Sequence, residues 1–81
     1  MPRKVIARDE LSAWMTAHIR KVEGCEQVEV GGVIPLQEPD AEGVNWSESI
    51  VLTATGVPKE IYEPAIRKVL ATARVQFNIK K

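Results

Sequence analysis

The chain has 81 residues, of which 44% are hydrophobic and 27% are charged, and it contains a single cysteine. These fractions are typical of a folded globular protein and exclude a disordered or fibrous chain, and the length indicates one domain over residues 1–81. One cysteine excludes an internal disulfide, and no Cys or His residues are paired at zinc spacing, so we expect no metal and no cofactor.

The charged side chains are segregated along a chain whose formal net charge is zero. Seven acidic residues and no basic one lie between Glu23 and Glu48, whereas the last 18 residues carry five basic and no acidic ones. Such a distribution can orient a partner but indicates no chemistry. The basic N-terminus is not followed by an apolar segment, and no apolar run approaches the length of a membrane span. We therefore expect a cytoplasmic protein that does not bind membranes.

The first predicted element is an amphipathic helix over residues 9–23. Asp9 suits its N-cap and Gly24 suits the position after its end. Residues 1–7 are predicted to be a flexible tail. The apolar and semi-apolar side chains recur at the spacing of one helix face: Leu11, Trp14, Met15, His18, Ile19 and Val22.

Two strands are predicted next, separated by a polar loop over residues 37–45. In the first strand, Gly31 and Gly32 indicate a bulge or bend, and Pro35 indicates an edge. The alternating apolar residues of the first strand are Val28, Val30, Ile34 and Leu36. Those of the second strand are Trp46, Ile50, Leu52 and Ala54.

A second helix is predicted near the C-terminus. Pro64 allows two interpretations, because proline cannot donate a backbone hydrogen bond: a short turn at 58–62 followed by a helix from about Glu63, or a helix that is kinked at Pro64. The apolar stripe of this helix contains Tyr62, Ala65, Ile66, Val69, Leu70, Ala73 and Phe77.

The predicted order α-β-β-α defines an α+β domain of two layers, in which an antiparallel hairpin is covered by two helices. An isolated hairpin has two free edges and gives a thin core. We therefore expect the chain to form a homodimer, in which pairing of the edges would complete a four-stranded sheet.

Few residues suggest catalytic or metal chemistry. The acidic segment that starts at Glu38 resembles the opening of a calcium loop, but the bidentate glutamate that such a loop requires would fall on Ser49. His18 and Cys25 lack a third group that would orient the imidazole as a base. We predict neither enzymatic activity nor a metal site.

The polar loop and the start of the second strand form the predicted partner-binding site, which consists of Glu38, Asp40, Glu42, Asn45 and Trp46. The loop is longer than a hairpin requires, and such loops often carry binding contacts. We expect its three carboxylates to serve the capture of a protein partner and not the fold. Trp46 has two interpretations: it closes the end of the core, or it is an exposed aromatic anchor.

The leading hypothesis is a small non-enzymatic protein-interaction or regulatory domain that acts as a homodimer and binds an unknown protein. One alternative is a nucleic-acid-binding module that uses Arg67, Lys68 and Arg74 of the C-terminal helix. The isoelectric point near 6.6 and the acidic residues Glu60 and Glu63 oppose it, so we expect no nucleic-acid partner. Another alternative is a small-ligand-binding domain with a pocket between a helix and the sheet.

Overall fold

The computed structural model describes residues 3–80. The described chain has two helices and two two-stranded sheets, one an antiparallel hairpin and one a parallel pair. The α+β class and the hairpin are thereby confirmed. The elements are β1 (Lys4–Ile6), α1 (Arg8–Ile19), β2 (Val28–Pro35), β3 (Trp46–Ala54), α2 (Lys59–Gln76) and β4 (Phe77–Ile79).

The parallel sheet of β1 and β4 is an addition to the predicted order. Lys4 lies opposite Phe77, and Ile6 lies opposite Ile79. The side chains of Ile6, Phe77 and Ile79 are buried. Part of the segment predicted as an N-terminal tail is therefore a paired strand, while residues 1 and 2 of that segment lie outside the described residues. Strands of three residues are too short to show an alternating pattern in the sequence.

Helix α1 begins one residue earlier than predicted and ends four residues earlier, and the prediction of Asp9 as its N-cap was wrong. Its N-cap is Ala7, which makes no side-chain capping bond, and Asp9 lies within the first turn. The helix ends at Ile19, and residues 20–24 continue in turns towards Gly24, which has a φ of +90°. One face packs in the core through Leu11, Met15 and Ile19, at the predicted four-residue spacing.

A β-bulge at Gly31 changes which side of β2 is buried. Val30 lies opposite Leu52, but Gly32 lies opposite Val51, so Gly31 is the extra residue. The inserted residue shifts the alternation by one position, and Val33 is consequently buried while Ile34 is exposed. The glycines correctly indicated a bulge, but the prediction that Ile34 faces the core was wrong.

Helix α2 begins at Lys59 and continues through Pro64 to Gln76. Of the two interpretations of Pro64, the separate turn before a helix from about Glu63 is therefore wrong. The helix ends before Phe77, whose extended backbone opens β4. The buried face of α2 contains Ala65, Ile66, Val69 and Ala73.

Helix α1 links the parts of the fold, because it contacts β2, α2 and β4. One cluster of buried side chains runs through all the elements, from Ile6 of β1 to Ile79 of β4. The core face of β3 is less completely covered than that of β2, since Ile50, Leu52 and Ala54 are only partly buried.

Candidate functional site

The acidic loop between β2 and β3 is attached to the C-terminal half of α2 through Asp40. One carboxylate oxygen of Asp40, Oδ1, accepts hydrogen bonds from the N–H groups of Glu42 at 2.9 Å and Val44 at 3.1 Å. The other oxygen, Oδ2, accepts a hydrogen bond from the guanidinium of Arg74. Asp40 therefore both shapes the turn of the loop and fixes the loop to α2, so the expectation that the loop carboxylates do not serve the fold was wrong for Asp40.

Asn45 connects the end of the loop to β4. Its side-chain Nδ2 donates to the carbonyl of Ile79 at 2.8 Å, and its Oδ1 accepts from the N–H of Ile79 at 2.9 Å. The backbone N–H of Asn45 donates to Oδ1 of Asn78 at 3.2 Å. The Asn45 side chain thus pairs with the edge of β4 as a neighbouring strand would, and the residue is only 8% exposed.

Trp46 lies fully inside the core, with 0% exposure. Its indole Nε1–H donates to the carbonyl of Phe77 at 3.1 Å. Arg74 covers its ring at 5.3 Å from the centroid and also donates to its carbonyl at 2.8 Å. The interpretation of Trp46 as a core residue is confirmed, and the interpretation as an exposed anchor is wrong.

The five predicted site residues therefore do not form one exposed surface. Asn45 and Trp46 are buried, Asp40 is half-buried against Arg74, and only Glu38 and Glu42 are exposed. Arg74, named above only as a candidate for a nucleic-acid surface, and Asn78, which no sequence pattern indicated, hold the loop in place. No local pattern around these residues indicates that they face a loop some 30 residues earlier in the chain.

The bonds to Asp40 make the stability of the fold depend on pH. The N–H of Val44, then that of Glu42 and the charge of Arg74, outweigh desolvation and hold the pKa of the carboxyl below its ordinary value of 3.8. A carboxylate with a lowered pKa in the folded state stabilises the fold above its unfolded pKa. This stabilisation is lost as the pH falls through the folded pKa.

We therefore expect the variant Asp40→Asn to unfold more readily than the parent near pH 7, because the amide keeps the turn but loses the charge that pairs with Arg74. The difference in urea midpoint should shrink as the pH falls from about 5 to below the ordinary carboxyl pKa. The matched control is Glu38→Gln, an exposed neighbour in the same loop, which should follow the parent throughout. A constant difference between parent and Asp40→Asn at all pH values would contradict the assignment.

His18 and Cys25 make separate contacts. The His18 ring stacks on Trp14 with centroids 3.8 Å apart, and its Nδ1 lies 2.8 Å from the carbonyl of Trp14. The buried Cys25 lies with its Sγ 3.9 Å from the carbonyl of Ile61. Burial, with a smaller contribution from the charge of Glu26, raises the pKa of the thiol. A raised pKa makes the nucleophilic thiolate scarcer at neutral pH.

The basic residues of α2 also have partners within the chain. Arg67 donates to Glu63 at 2.7 Å, and Arg74 is bound to the loop and to Trp46. Of the three cations named for a nucleic-acid surface, Lys68 makes no ion pair within residues 3–80.

One edge of the hairpin, the outer edge of β2, is bonded by a side chain of α1 and by the side chain of Arg20, which follows the helix. The N–H of Val30 donates to Oγ1 of Thr16 at 3.0 Å, and Nε of Arg20 donates to the carbonyl of Val28 at 3.1 Å. These bonds satisfy backbone groups that point away from β3. Strand edges of globular proteins are commonly blocked in this way against pairing with another chain.

The other edge of the hairpin, the outer edge of β3, is open in the described chain. Leu52 and Ala54 lie opposite Val30 and Val28. Residues directly opposite in an antiparallel pair either exchange both backbone hydrogen bonds or neither, so the N–H groups of Leu52 and Ala54 also point away from the partner strand. No other strand within residues 3–80 pairs with β3. At the start of the strand, the carbonyl of Trp46 accepts from Arg74 and the N–H of Ser49 donates to the hydroxyl of Ser47. The free edge is therefore the end of the strand, around Leu52 and Ala54.

Within residues 3–80, no three His, Cys, Asp or Glu side chains are grouped as metal ligands would be. None of the described helices is both long and apolar enough to cross a bilayer. The geometry thus offers two features for binding, the free edge of β3 and the exposed carboxylates Glu38 and Glu42.

Comparisons of the chain with protein-family models, with curated proteins and with solved structures gave no match.

Proposed function

We propose that the chain is a non-enzymatic protein-interaction domain that acts as a homodimer joined through the outer edge of β3. The observation that carries this proposal is the difference between the two edges of one hairpin. Thr16 and Arg20 bond to the edge of β2, whereas the edge of β3 pairs with no other strand of the described chain, and only its start is bonded, by Arg74.

The sequence of β3 supports strand pairing. The strand contains no proline, lysine or arginine, and Glu48 is its only charged residue. Proline, lysine and inward-pointing charges are the usual means by which an edge strand avoids other chains. The outward face carries Ser47, Ser49, Val51 and Thr53, which are compatible with a neighbouring copy of the same strand because they bring no like charges together.

Symmetry supports a dimer over a larger assembly. Antiparallel pairing of β3 with β3 of a second copy would give a four-stranded sheet whose two outer strands are both β2. Because Thr16 and Arg20 occupy backbone groups of Val30 and Val28, the outer edge of β2 would be partly blocked against a third copy. The dimer would also bury more side-chain surface of Ile50 and Leu52, which are only partly buried in one chain.

The acidic loop remains the proposed contact for a second, different protein. Glu38 and Glu42 expose their carboxylates, and the ion pair of Asp40 with Arg74 fixes the backbone that carries them. A basic surface is the complementary partner for such a loop. A homodimer would present the loop twice, which strengthens binding to a partner with two sites.

The dimer is tested by sedimentation equilibrium of the parent and of two proline variants. We expect the parent to sediment at twice the 9.0 kDa of one chain at micromolar concentration. The variant Ala54→Pro removes an N–H that points away from β2, so the hairpin should remain folded while dimerisation weakens by about tenfold or more.

The matched control is Thr53→Pro. Thr53 lies opposite Glu29 in the hydrogen-bonded register of the hairpin, so its N–H points to β2. This variant should lose folded structure, as shown by circular dichroism.

The double variant Val51→Lys with Thr53→Lys gives a second test that leaves every backbone N–H of β3 in place. Both residues are exposed, so the hairpin should tolerate the lysines. A parent that is a cooperatively folded monomer at all concentrations, or a dimer that Ala54→Pro and the double variant leave intact, contradicts the proposal.

A further inference from the structure

The carboxyl ends of the two parallel strands lie side by side at one end of the molecule. Ile6 ends β1 opposite Ile79, which ends β4, and the N–H of Lys80 donates to the carbonyl of Ile6 at 2.9 Å. A cavity of about 310 Å³ opens at this end. The crevice beyond the carboxyl ends of parallel strands is a common place for ligands, and the volume lies at the small end of the range for ligand pockets.

The wall of this cavity is partly apolar and partly basic. Pro35, Leu36 and Ile79 supply the apolar part, and Arg8 and Lys80 supply two cationic side chains. No aspartate or glutamate of residues 3–80 lines the cavity. Such a combination favours a molecule that has an apolar body and a negatively charged group.

The two cations are not neutralised within the described chain. Arg8 and Lys80 are exposed, and neither belongs to an ion pair of residues 3–80, in contrast to Arg20, Arg67 and Arg74. Asp9 and Glu10 already offset the dipole of α1 in its first turn, so we assign no role to the helix N-terminus itself. The attraction for an anion comes from the two side chains.

We propose that this cavity binds a small organic anion, a carboxylate or phosphate ester whose charged group pairs with Arg8 and Lys80. The apolar body of the ligand lies against Leu36 and Ile79. The side chain of Asn45 also lines the cavity, but its amide is bonded to the backbone of Ile79, so it forms a fixed wall. Gln37 lies at the exposed rim, where its amide can donate to the anion. This site does not depend on the proposed dimer.

The test is a titration followed by the backbone amide signals of the ¹⁵N-labelled full chain. Benzoate and phenyl phosphate are the anionic probes, benzyl alcohol and benzylamine are the neutral and cationic probes of similar shape, and inorganic phosphate is an anion without an apolar body. We expect the two aromatic anions to bind with dissociation constants on the order of millimolar, as small fragments do. They should shift the amide signals of Arg8, Leu36, Gln37 and Lys80.

The variants Arg8→Gln and Lys80→Gln should each weaken binding of the aromatic anions by about tenfold, the effect of removing one charged hydrogen bond. The matched control is Lys21→Gln, another exposed cation that makes no ion pair within residues 3–80 and does not line the cavity. Equal binding of the neutral or cationic probe overturns the proposal. So do shifts spread over all basic residues, or an unchanged affinity in both cavity variants while their circular dichroism matches the parent.

Discussion

The variant Trp46→Ala is expected to lower the free energy of unfolding by about 3–5 kcal/mol, the usual cost of truncating a large buried aromatic residue. The indole is fully buried, donates to the carbonyl of Phe77 and lies under the guanidinium of Arg74. Its loss would leave a cavity where β3, β4 and α2 meet and would leave the Phe77 carbonyl without its partner. Because small domains are stable by only about 5–15 kcal/mol, much of the chain should be unfolded at modest urea concentrations.

Two controls make this result specific, and urea unfolding followed by circular dichroism measures all three variants. Trp46→Phe keeps most of the apolar volume but not the N–H, so it should lower the free energy of unfolding clearly less than Trp46→Ala does. Trp14→Ala removes the other indole, which is only partly buried, and should also cost less. If Trp46→Ala lowers the free energy of unfolding no more than Trp14→Ala does, Trp46 is not the main contact between β3, β4 and α2.

The second large effect is expected at Asn45. In Asn45→Ala, the N–H and the carbonyl of Ile79 both lose their hydrogen-bonding partner in a buried position. Each unsatisfied group costs about 1–3 kcal/mol, so the loss of two should lower the free energy of unfolding by about 2–6 kcal/mol. The control is Asn78→Ala, which removes bonds to Asn45 and Gly43 at a half-buried site and should cost less.

The variant Asn45→Asp separates the pairing geometry from simple packing. The carboxylate still accepts from the N–H of Ile79, but it faces the carbonyl to which the amide donated, and burial of its charge is unfavourable. A buried carboxyl has a raised pKa, so this variant should regain stability relative to the parent as the pH falls towards about 4 and the group becomes able to donate. If Asn45→Ala costs no more than Asn78→Ala and Asn45→Asp shows no such recovery, the amide does not perform this pairing.

The sequence by itself determined the elements whose patterns repeat over several turns or residues. The four-residue spacing of Leu11, Met15 and Ile19 is enough to define the buried face of α1, because a helix places those positions on one side whatever it packs against. The even-numbered apolar residues of β3 and the two glycines of β2 similarly indicated a hairpin with a bulge. These features depend on local geometry, which the order of residues specifies directly.

Only the tertiary structure decided which polar residues hold the fold together. Asp40 and Asn45 have the composition of a solvated loop, yet they bind Arg74 and Ile79, which lie 34 residues further along the chain. The parallel pairing of β1 with β4 joins segments more than 70 residues apart, and its three-residue strands have no period to detect. Whether a strand edge is covered is also a property of neighbours in space. Thr16 of α1 and Arg20, which follows the helix, bond to the edge of β2, and no pattern in their sequence indicates this contact. Contacts of this kind depend on how the elements pack, and the spacing of residues within one element does not contain that information.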